Sequence, residues 1–285
     1  MGKQVYLFGH ENLYNNGGMV LSFNMIVALF AGLGLFLYGM QIMSDALQKS
    51  AGDRLKKLLE ILTTNKVLGV LVGAAITAVI QSSSAATVMV VGLVNAGIMN
   101  LSQAVGVIMG ANIGTTMTAQ IIAFNFRDIV PYAIIVGAML VLFSKKKSHK
   151  QLGELIIGFG ILFMGMNMMS DAMRPLGDIP AFQQFMVDLK DNPLLGVLAG
   201  LLLTAVIQSS SATIGILQVL AMQGLIPIEA ALPILFGDNI GTCATALIAS
   251  IGTNLTAKRA AVLHVTIKVI GTIIFMIILK PIIAL

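Results

Sequence analysis

The sequence contains the tetrapeptide Gln-Ser-Ser-Ser twice, at Gln81–Ser84 and at Gln208–Ser211. Three consecutive serines disfavour an unbroken helix, because each hydroxyl competes for the hydrogen bonds of the backbone. Where a helix breaks, the first N–H groups of the next helix lack partners, so an anion can bind there with the help of the hydroxyls. The residues of the predicted anion site are Ser82, Ser83, Ser84, Ser209, Ser210 and Ser211.

The same breaks also offer ligands for a cation. The carbonyl groups left free before each break, the glutamine amide oxygen and the hydroxyls are hard neutral oxygens that suit sodium. We therefore predict Gln81 and Gln208 as sodium ligands. A lone serine in an apolar helix usually serves packing or bonds to its own backbone, but the duplication of all four residues favours a functional role.

A second polar segment is duplicated as well: Asn112-Ile113-Gly114-Thr115 returns as Asn239-Ile240-Gly241-Thr242. Glycines precede both copies, which predicts a second local unwinding of the helix. The predicted lining residues are Asn112, Thr115, Thr116, Asp238, Asn239 and Thr242. Asp238 has only Ala111 as its counterpart, and an acid in an apolar stretch is usually functional or ion-paired. The alternative for Asp238 is a helix cap at the membrane edge.

Other reactive side chains give weaker indications. His264 and Lys268 lie four residues apart on one face of a predicted helix, where an interior hydrogen-bonding pair is favoured over a proton relay. Cys243 is the only cysteine, so it forms neither an internal disulfide nor a metal site alone. No esterase elbow, phosphate-binding loop or zinc-protease motif is present, so we expect neither an enzyme nor a cofactor, and any uphill transport would have to use an ion gradient or another subunit.

The duplication divides the chain into two homologous halves. Thr77–Ala85 is identical to Thr204–Ala212 over nine residues, at the offset of 127 that also relates the Asn-Ile-Gly-Thr segments. Gly39-Met40 and Met43–Ala46 return as Gly165-Met166 and Met169–Ala172 at an offset of 126, and Asp45 and Asp171 are predicted there as helix caps. The predicted organisation is one integrated domain, with a tail and the start of the first helix at 1–24, repeat 1 at 25–143, a basic linker at 144–151 and repeat 2 at 152–281.

The composition indicates a lipid environment. Of 285 residues, 57% are hydrophobic and only 10% are charged, against roughly 45–50% and about 25% in a soluble domain. The net charge of +5 comes from basic residues between apolar runs, so we expect no nucleic-acid partner. The predicted fold class is an all-α polytopic protein that crosses the cell membrane several times.

Loop charges predict how the halves are oriented. The connector at 48–66 is basic, whereas its equivalent at 174–192 has more acidic than basic residues, and the linker at 144–150 is strongly basic. Basic loops are retained on the cytoplasmic side. We therefore predict that 48–66 and 144–150 are cytoplasmic and 174–192 is external, which makes the halves inverted-topology repeats.

Segment lengths predict a broken helix in each half. Residues 67–80 and 85–98 are each shorter than the roughly 20 residues of a span, so they are predicted arms of a re-entrant hairpin with Gln-Ser-Ser-Ser at its tip. The tips of both hairpins should meet at the membrane midplane. Small residues four apart predict close helix packing, at Gly69 and Gly73, Gly106 and Gly110, and Gly196 and Gly200. Long helices are predicted at about 25–47, 129–143, 155–173 and 258–280.

The paired Gln-Ser-Ser-Ser and Asn-Ile-Gly-Thr motifs resemble those of the type II sodium-phosphate cotransporter family, over nearly all of 25–280. In that family the two Gln-Ser-Ser-Ser stretches meet within the membrane and help bind phosphate and sodium, which implicates Gln81–Ser84 and Gln208–Ser211 here. The Asn-Ile-Gly-Thr segments and adjoining residues resemble the family's further lining, which implies substrate contacts for Asn112 and Asn239 and sodium contacts for Thr115, Thr116, Thr242 and Asp238. Two positions depart from the family. Lys268 stands where its last span often has asparagine, and Gly97 stands where animal electrogenic members have aspartate, which implies electroneutral coupling.

The resemblance implies a bacterial-type secondary active transporter that performs sodium-coupled symport of inorganic phosphate by alternating access. One alternative is export of phosphate, or transport of another small oxyanion, on the same architecture. A third hypothesis, from a different class, is an intramembrane enzyme or receptor subunit. The expected partners are inorganic phosphate, sodium and the lipid bilayer, and the sequence leaves a homo-oligomer open.

Overall fold

The computed structural model describes residues 14–15, 18–19, 23–52, 66–124 and 126–284. Those residues are helical apart from turns and one small ladder, in which β1 (Tyr14–Asn15) pairs antiparallel with β2 (Gly18–Met19). The predicted helical class is thus confirmed for this part of the chain. Most of the predicted tail, and residues 53–65 of the basic connector, lie outside the described residues.

The described helices follow the two halves of the sequence. In the first half they are α1 (Phe23–Ala51), α2 (Lys66–Ile80), α3 (Ser83–Asn95), α4 (Leu101–Ala123) and α5 (Val130–Phe143). In the second half they are α6 (Lys147–Met173), α7 (Pro180–Asp191), α8 (Pro193–Ile207), α9 (Ser210–Met222), α10 (Ile228–Gly241), α11 (Cys243–Ala249), α12 (Leu255–Ile277) and α13 (Leu279–Ile283). Short 3₁₀ turns at Arg127–Ile129 and Arg174–Asp178 precede α5 and follow α6.

Within the described ranges, five helical segments are long and apolar enough to cross a membrane. They are Phe23–Ala51, Leu101–Ala123, Lys147–Asp178, Ile228–Ala249 and Leu255–Ile277. The bent pair of α7 and α8, which turns by 111°, counts as a sixth when taken together. Length and composition therefore agree with the predicted multi-pass membrane protein.

The equivalent first helices of the two halves, α1 and α6, pack against each other in antiparallel directions. Gly32 faces the backbone of Gly165, and Gly39 faces that of Gly158. A Cβ atom added to Gly39 would lie 2.3 Å from the backbone nitrogen of Leu162, so only glycine fits. Around this contact lies the main hydrophobic core, which includes the fully buried Phe36 and Met169.

Parallel helix pairs flank each Gln-Ser-Ser-Ser segment, α2 with α4 and α8 with α10. The predicted small residues make both contacts: a Cβ atom added to Gly73 would lie 2.1 Å from the carbonyl oxygen of Val107, and one added to Gly200 would lie 1.9 Å from that of Ile234. Because α2 and α4 run parallel with only short breaks around α3, the chain turns back between them. This arrangement is the predicted hairpin of two short arms.

The helix breaks fall at the predicted positions. α2 ends at Ile80 and α3 begins at Ser83, while α8 ends at Ile207 and α9 begins at Ser210. The two glutamines that carry the chain through the breaks have positive φ angles, 59° at Gln81 and 56° at Gln208. A left-handed backbone is uncommon for a residue with a side chain, so both copies of the motif share one unusual geometry.

The predicted unwinding of the first Asn-Ile-Gly-Thr segment is wrong, because α4 runs without interruption through Asn112–Thr115. The threonine hydroxyls bond back to the helix, Thr115 to the carbonyl oxygen of Ala111 at 3.0 Å and Thr116 to that of Ile113 at 2.7 Å. The adjacent glycines serve close packing on α2 instead of a break. In the second half, Thr242 alone separates α10 from α11.

Two other helix limits differ from the expectation. α6 begins at Lys147, inside the segment predicted as a linker, because polar residues extend the helix beyond its apolar part. Asp45 lies in the interior of α1 and accepts a hydrogen bond from Gln41 Nε2 at 2.7 Å, so its prediction as a helix cap is wrong.

Candidate functional site

Both Gln-Ser-Ser-Ser segments line one cavity of about 240 Å³. The remaining lining comes from α1, from Ile80 at the end of α2 and from Thr115 on α4. The sequence predicted that the two motifs converge, and the shared cavity confirms this. We refer to it as the serine cavity; the motif residues on its wall are Gln81, Ser82, Ser83, Ser84, Gln208, Ser209, Ser210 and Ser211.

The start of a helix lies at the wall of this cavity in each half. Ser82 is the N-cap of α3 and its hydroxyl accepts a hydrogen bond from the Ala85 N–H at 3.2 Å; Ser209 does the same for α9 through the Ala212 N–H at 3.3 Å. The first N–H groups of a helix carry the positive end of its dipole. Two such ends and their serine hydroxyls give one cavity the chemistry of an oxyanion site.

Ser44 on α1 is a lining residue that sequence reasoning missed. Its hydroxyl donates to the carbonyl oxygen of Ile80, the last residue of α2, at 2.7 Å, and it accepts a hydrogen bond from Gln48 Nε2 at 2.9 Å. Gln41, one turn earlier, also lines the cavity. Ser44 lies in the duplicated segment Met43–Ala46, which returns as Met169–Ala172, so the repeat could have indicated a functional serine. The sequence analysis instead interpreted the segment through its aspartate, as a helix cap.

The two glutamines of the motif have different surroundings. Gln81 is buried, and its amide oxygen accepts a hydrogen bond from the Thr118 hydroxyl at 2.5 Å. Its amide nitrogen donates to the carbonyl oxygen of Ala78. Gln208 is exposed at the cavity. The amide oxygen of Gln208 is therefore the more accessible of the two for a cation.

Of the first Asn-Ile-Gly-Thr segment, only Thr115 reaches the serine cavity. The Thr115 hydroxyl donates to its own helix, so its lone pairs remain able to accept or coordinate. Thr116 is exposed elsewhere on α4. Asn112 is outside the lining, and its amide oxygen is buried without a hydrogen-bond partner among the described residues.

The second segment forms a separate buried polar cluster. Asp238 is 2% exposed and accepts a hydrogen bond from the Thr204 hydroxyl at 2.7 Å; that hydroxyl lies 2.8 Å from the hydroxyl of Thr213. The Thr242 hydroxyl donates to the carbonyl oxygen of Asn239 at 2.7 Å. Because Asp238 is buried within α10, the alternative of a cap at the membrane edge is excluded. The structure places Asp238, Asn239 and Thr242 outside the serine cavity lining.

Lys268 on α12 belongs to this second cluster. Its Nζ donates to the amide oxygen of Asn239 at 2.7 Å, and not to His264 as the favoured prediction required. His264 is 2% exposed, and neither of its ring nitrogens has a hydrogen-bond partner in the described part of the chain. The spacing of four residues puts both side chains on one face, but the nearest acceptor for the lysine comes from α10.

Gly97 and Gly224 take the same role in the two halves. They have positive φ angles of 73° and 68° in the turns that follow α3 and α9, and neither lines the serine cavity. Glycine adopts this conformation without steric cost. In the described ranges, no group of three or more His, Cys, Asp or Glu side chains is arranged to hold a metal ion.

Comparison with known proteins gives a family match over both halves. The family model described as Na+/Pi-cotransporter matches residues 35–171 and again residues 164–282. "Uncharacterized protein YqeW" of Bacillus subtilis is 32% identical over 247 residues, which are 87% of this chain and 80% of that protein. No solved structure matches the chain.

Two further relatives have names that state a substrate. "Putative inorganic phosphate export protein YjbB" of Escherichia coli is 27% identical over 251 residues, 88% of this chain and 46% of that protein. "Sodium-dependent phosphate transport protein 2A" of Mus musculus is 38% identical over 99 residues, 33% of this chain and 15% of that protein. The chain therefore spans about half of the Escherichia coli protein and a small part of the mouse protein.

Proposed function

Because the chain belongs to the Na+/Pi-cotransporter family, we propose that it is a secondary active transporter that couples the symport of inorganic phosphate to sodium by alternating access. The observation that carries this proposal is the convergence of both Gln-Ser-Ser-Ser segments on one cavity. A cavity of about 240 Å³ that is lined by six serines at the starts of two helices suits a small tetrahedral oxyanion.

We assign phosphate to the serines and sodium to the adjacent neutral oxygens. Gln208 and Thr115 offer oxygens at the cavity, and Gln81 adds one that is shared with Thr118. A sodium ion there would offset the charge of the bound anion, which gives a physical basis for coupling. Asp238 with Thr204 is a second proposed sodium position, with Thr242 nearby in the chain, while Asn112 and Asn239 are proposed to orient the substrate path. The exposed Thr116 is the weakest member of the predicted set.

We further propose that the two halves have inverted topology in the cell membrane. The antiparallel packing of α1 and α6, which are equivalent in the repeat, supports this. The ion pair between Lys49 Nζ and Glu154 Oε2, 2.8 Å long, joins the end of α1 to the start of α6 and supports a common cytoplasmic side for 48–66 and 144–150. The 174–192 segment follows the opposite end of α6 and is proposed to be external.

Side-specific labelling tests the orientation. The only native cysteine, Cys243, is buried, so single cysteines introduced at Lys56, outside the described residues, and at Lys190 can be compared directly. We expect a membrane-impermeant thiol reagent to label Lys190→Cys from outside intact cells and Lys56→Cys only after the membrane is opened. Labelling of both variants from one side would reject the inverted topology.

Uptake of labelled phosphate into proteoliposomes tests the function. An inward sodium gradient should raise uptake above that with an equal potassium gradient, and the Ser83→Ala and Ser210→Ala double variant should lose the increase. Equal phosphate uptake under the sodium and potassium gradients would reject sodium-coupled symport.

The name of the Escherichia coli relative favours export as a second candidate. In that case phosphate-loaded proteoliposomes should release phosphate faster than they take it up, and excess arsenate or sulfate outside tests whether another oxyanion is preferred. The absence of any protein-dependent flux would leave the enzyme or receptor hypothesis.

A further inference from the structure

A second cavity, of about 210 Å³, lies at the end of α6 that is distant from Lys49. Two guanidinium groups line it, those of Arg127 before α5 and Arg174 after α6. The polar side chains of Asn167, Ser170 and Gln223 also line it, together with five apolar residues. We call the two arginines and these three polar residues the arginine pocket.

The arginine pocket is rich in hydrogen-bond donors. Gln223 Nε2 donates to the Ser170 hydroxyl oxygen, so the hydroxyl hydrogen is able to point toward a guest. Asn167 adds an amide group, and Arg174 takes part in none of the ion pairs found among the described residues. The planar fork of an arginine matches the oxygens of a phosphate group.

The negative charge next to the pocket is already paired. Asp171 is half-exposed, and both of its carboxylate oxygens contact Arg127 Nη2, at 3.2 and 3.3 Å. No carboxylate is among the described residues that line the cavity. The lining itself therefore has two arginines and no carboxylate, so the pocket favours an anion.

The pocket is separate from the serine cavity but is built on the same repeat positions. Met166, Asn167 and Ser170 of α6 line it, and their counterparts Met40, Gln41 and Ser44 of α1 line the serine cavity. Met169, the neighbour of Ser170, packs on Gly32 of α1. Because Gly32 lies about twelve residues before Ser44 on that helix, Ser170 and Ser44 are roughly 18 Å apart at 1.5 Å per residue.

We propose that the arginine pocket is a second oxyanion site, which binds the phosphate group of a ligand at the proposed external end of the molecule. As a capture site for the transported substrate this rests on the proposed function; the binding itself does not. Free inorganic phosphate and the headgroup of an anionic lipid share the necessary chemistry, and the experiment must distinguish them.

The test measures binding of labelled inorganic phosphate to the purified full chain in detergent. Ser83→Ala with Ser210→Ala provides the background, so that the remaining binding reports the arginine pocket. Adding Arg174→Gln should weaken that binding about 10- to 100-fold, the usual effect of losing a hydrogen bond to a charged group. Asn167→Leu, which leaves both arginines intact, should weaken it less, and Lys190→Gln on α7 is the matched control of equal charge change.

A parallel arm uses native mass spectrometry of the same variants with added phosphatidylglycerol. Binding of phosphate that depends on Arg174 identifies free phosphate as the ligand, whereas retention of lipid that depends on Arg174 identifies a headgroup. If neither ligand responds to Arg174→Gln or Asn167→Leu, the second site is rejected.

The two proposals fail separately. A chain without sodium-driven uptake that still binds phosphate through Arg174 would reject only the symport. Normal uptake with phosphate and lipid binding unchanged by Arg174→Gln would reject only the arginine pocket.

Discussion

The two halves of the chain share nine identical residues around the Gln-Ser-Ser-Ser segment, yet the same threonine has opposite surroundings in each. Thr204 bonds to both Thr213 and Asp238, whereas its counterpart Thr77 is buried with an unpaired hydroxyl in the described structure. The difference originates on two neighbouring helices, where Ala86 of α3 stands in place of Thr213 and Ala111 of α4 stands in place of Asp238. An exact sequence repeat therefore does not produce equal chemistry, because the partner helix supplies half of each contact.

The glutamines differ in the same manner. Gln81 is held by Thr118, a residue of α4, while Gln208 is exposed at the serine cavity. In the first half, the glutamine at the helix break is hydrogen-bonded, and the neighbouring parallel helices carry no charge at their contact. In the second half, the glutamine is exposed, and the parallel helix carries the buried carboxylate of Asp238, with Lys268 bonded to the adjacent Asn239. We expect the second half to carry most of the ion dependence of transport.

The largest expected effect is on stability. Thr204→Val removes two hydrogen bonds and leaves Asp238 without its hydroxyl donor, which should lower the free energy of unfolding by about 2–4 kcal/mol. Thr77→Val, its matched control, removes a buried hydroxyl with no partner among the described residues, so it should leave the free energy of unfolding unchanged or raise it by about 1 kcal/mol. Thermal unfolding can be followed with a dye that reacts with buried Cys243 as it becomes exposed. Equal losses in both variants would remove this difference between the halves.

The next effect concerns phosphate and should be similar in both halves. Ser83→Ala and Ser210→Ala each remove one donor from the serine cavity and should raise the apparent phosphate constant of uptake about 10- to 100-fold. Thr266→Val on the exposed surface of α12, whose hydroxyl bonds only to its own helix at the carbonyl oxygen of Val262, is a control that should leave the constant unchanged. An unchanged constant in both serine variants would move the substrate site toward Asn112, Thr115, Asn239 and Thr242.

The smallest effect separates the glutamines. Gln208→Ala should raise the sodium concentration for half-maximal uptake about tenfold, roughly the loss of one ligand, without a change in unfolding temperature. Gln81→Ala should lower that temperature as well, because the Thr118 hydroxyl loses its acceptor. Sodium titrations of uptake, paired with unfolding curves, measure both quantities. If Gln208→Ala lowered the unfolding temperature and Gln81→Ala did not, Gln208 would be the structural glutamine and Gln81 the sodium ligand.

Local sequence patterns were sufficient for the positions of the breaks and for the meeting of the two motifs. Short apolar arms, serines that compete for the backbone and glycines four apart all act within a few residues, and the structure has α2, α3, α8 and α9 where they predict. The repeat then supplied the expectation that both tips share one site.

Contacts between distant helices were not accessible in this manner. A threonine in a helix bonds either to its own backbone or to a ligand, and the sequence does not distinguish these, so α4 was wrongly expected to unwind at Asn112–Thr115. Ser44 was missed because its partner is a carbonyl freed by a break 36 residues away. Lys268 donates its hydrogen bond to Asn239 and not to His264 because of the position of α10, which the sequence does not give.

The glycine contact between α1 and α6 has an evolutionary consequence. Gly32 and Gly39 occupy the repeat positions of Gly158 and Gly165, so the contact of Gly32 with Gly165 and that of Gly39 with Gly158 are one contact made twice. That reciprocity is the mark of a two-fold symmetric homodimer. A half-length chain with this helix would present a surface complementary to an antiparallel copy of itself, and this is the pairing that duplication and fusion of its gene would preserve.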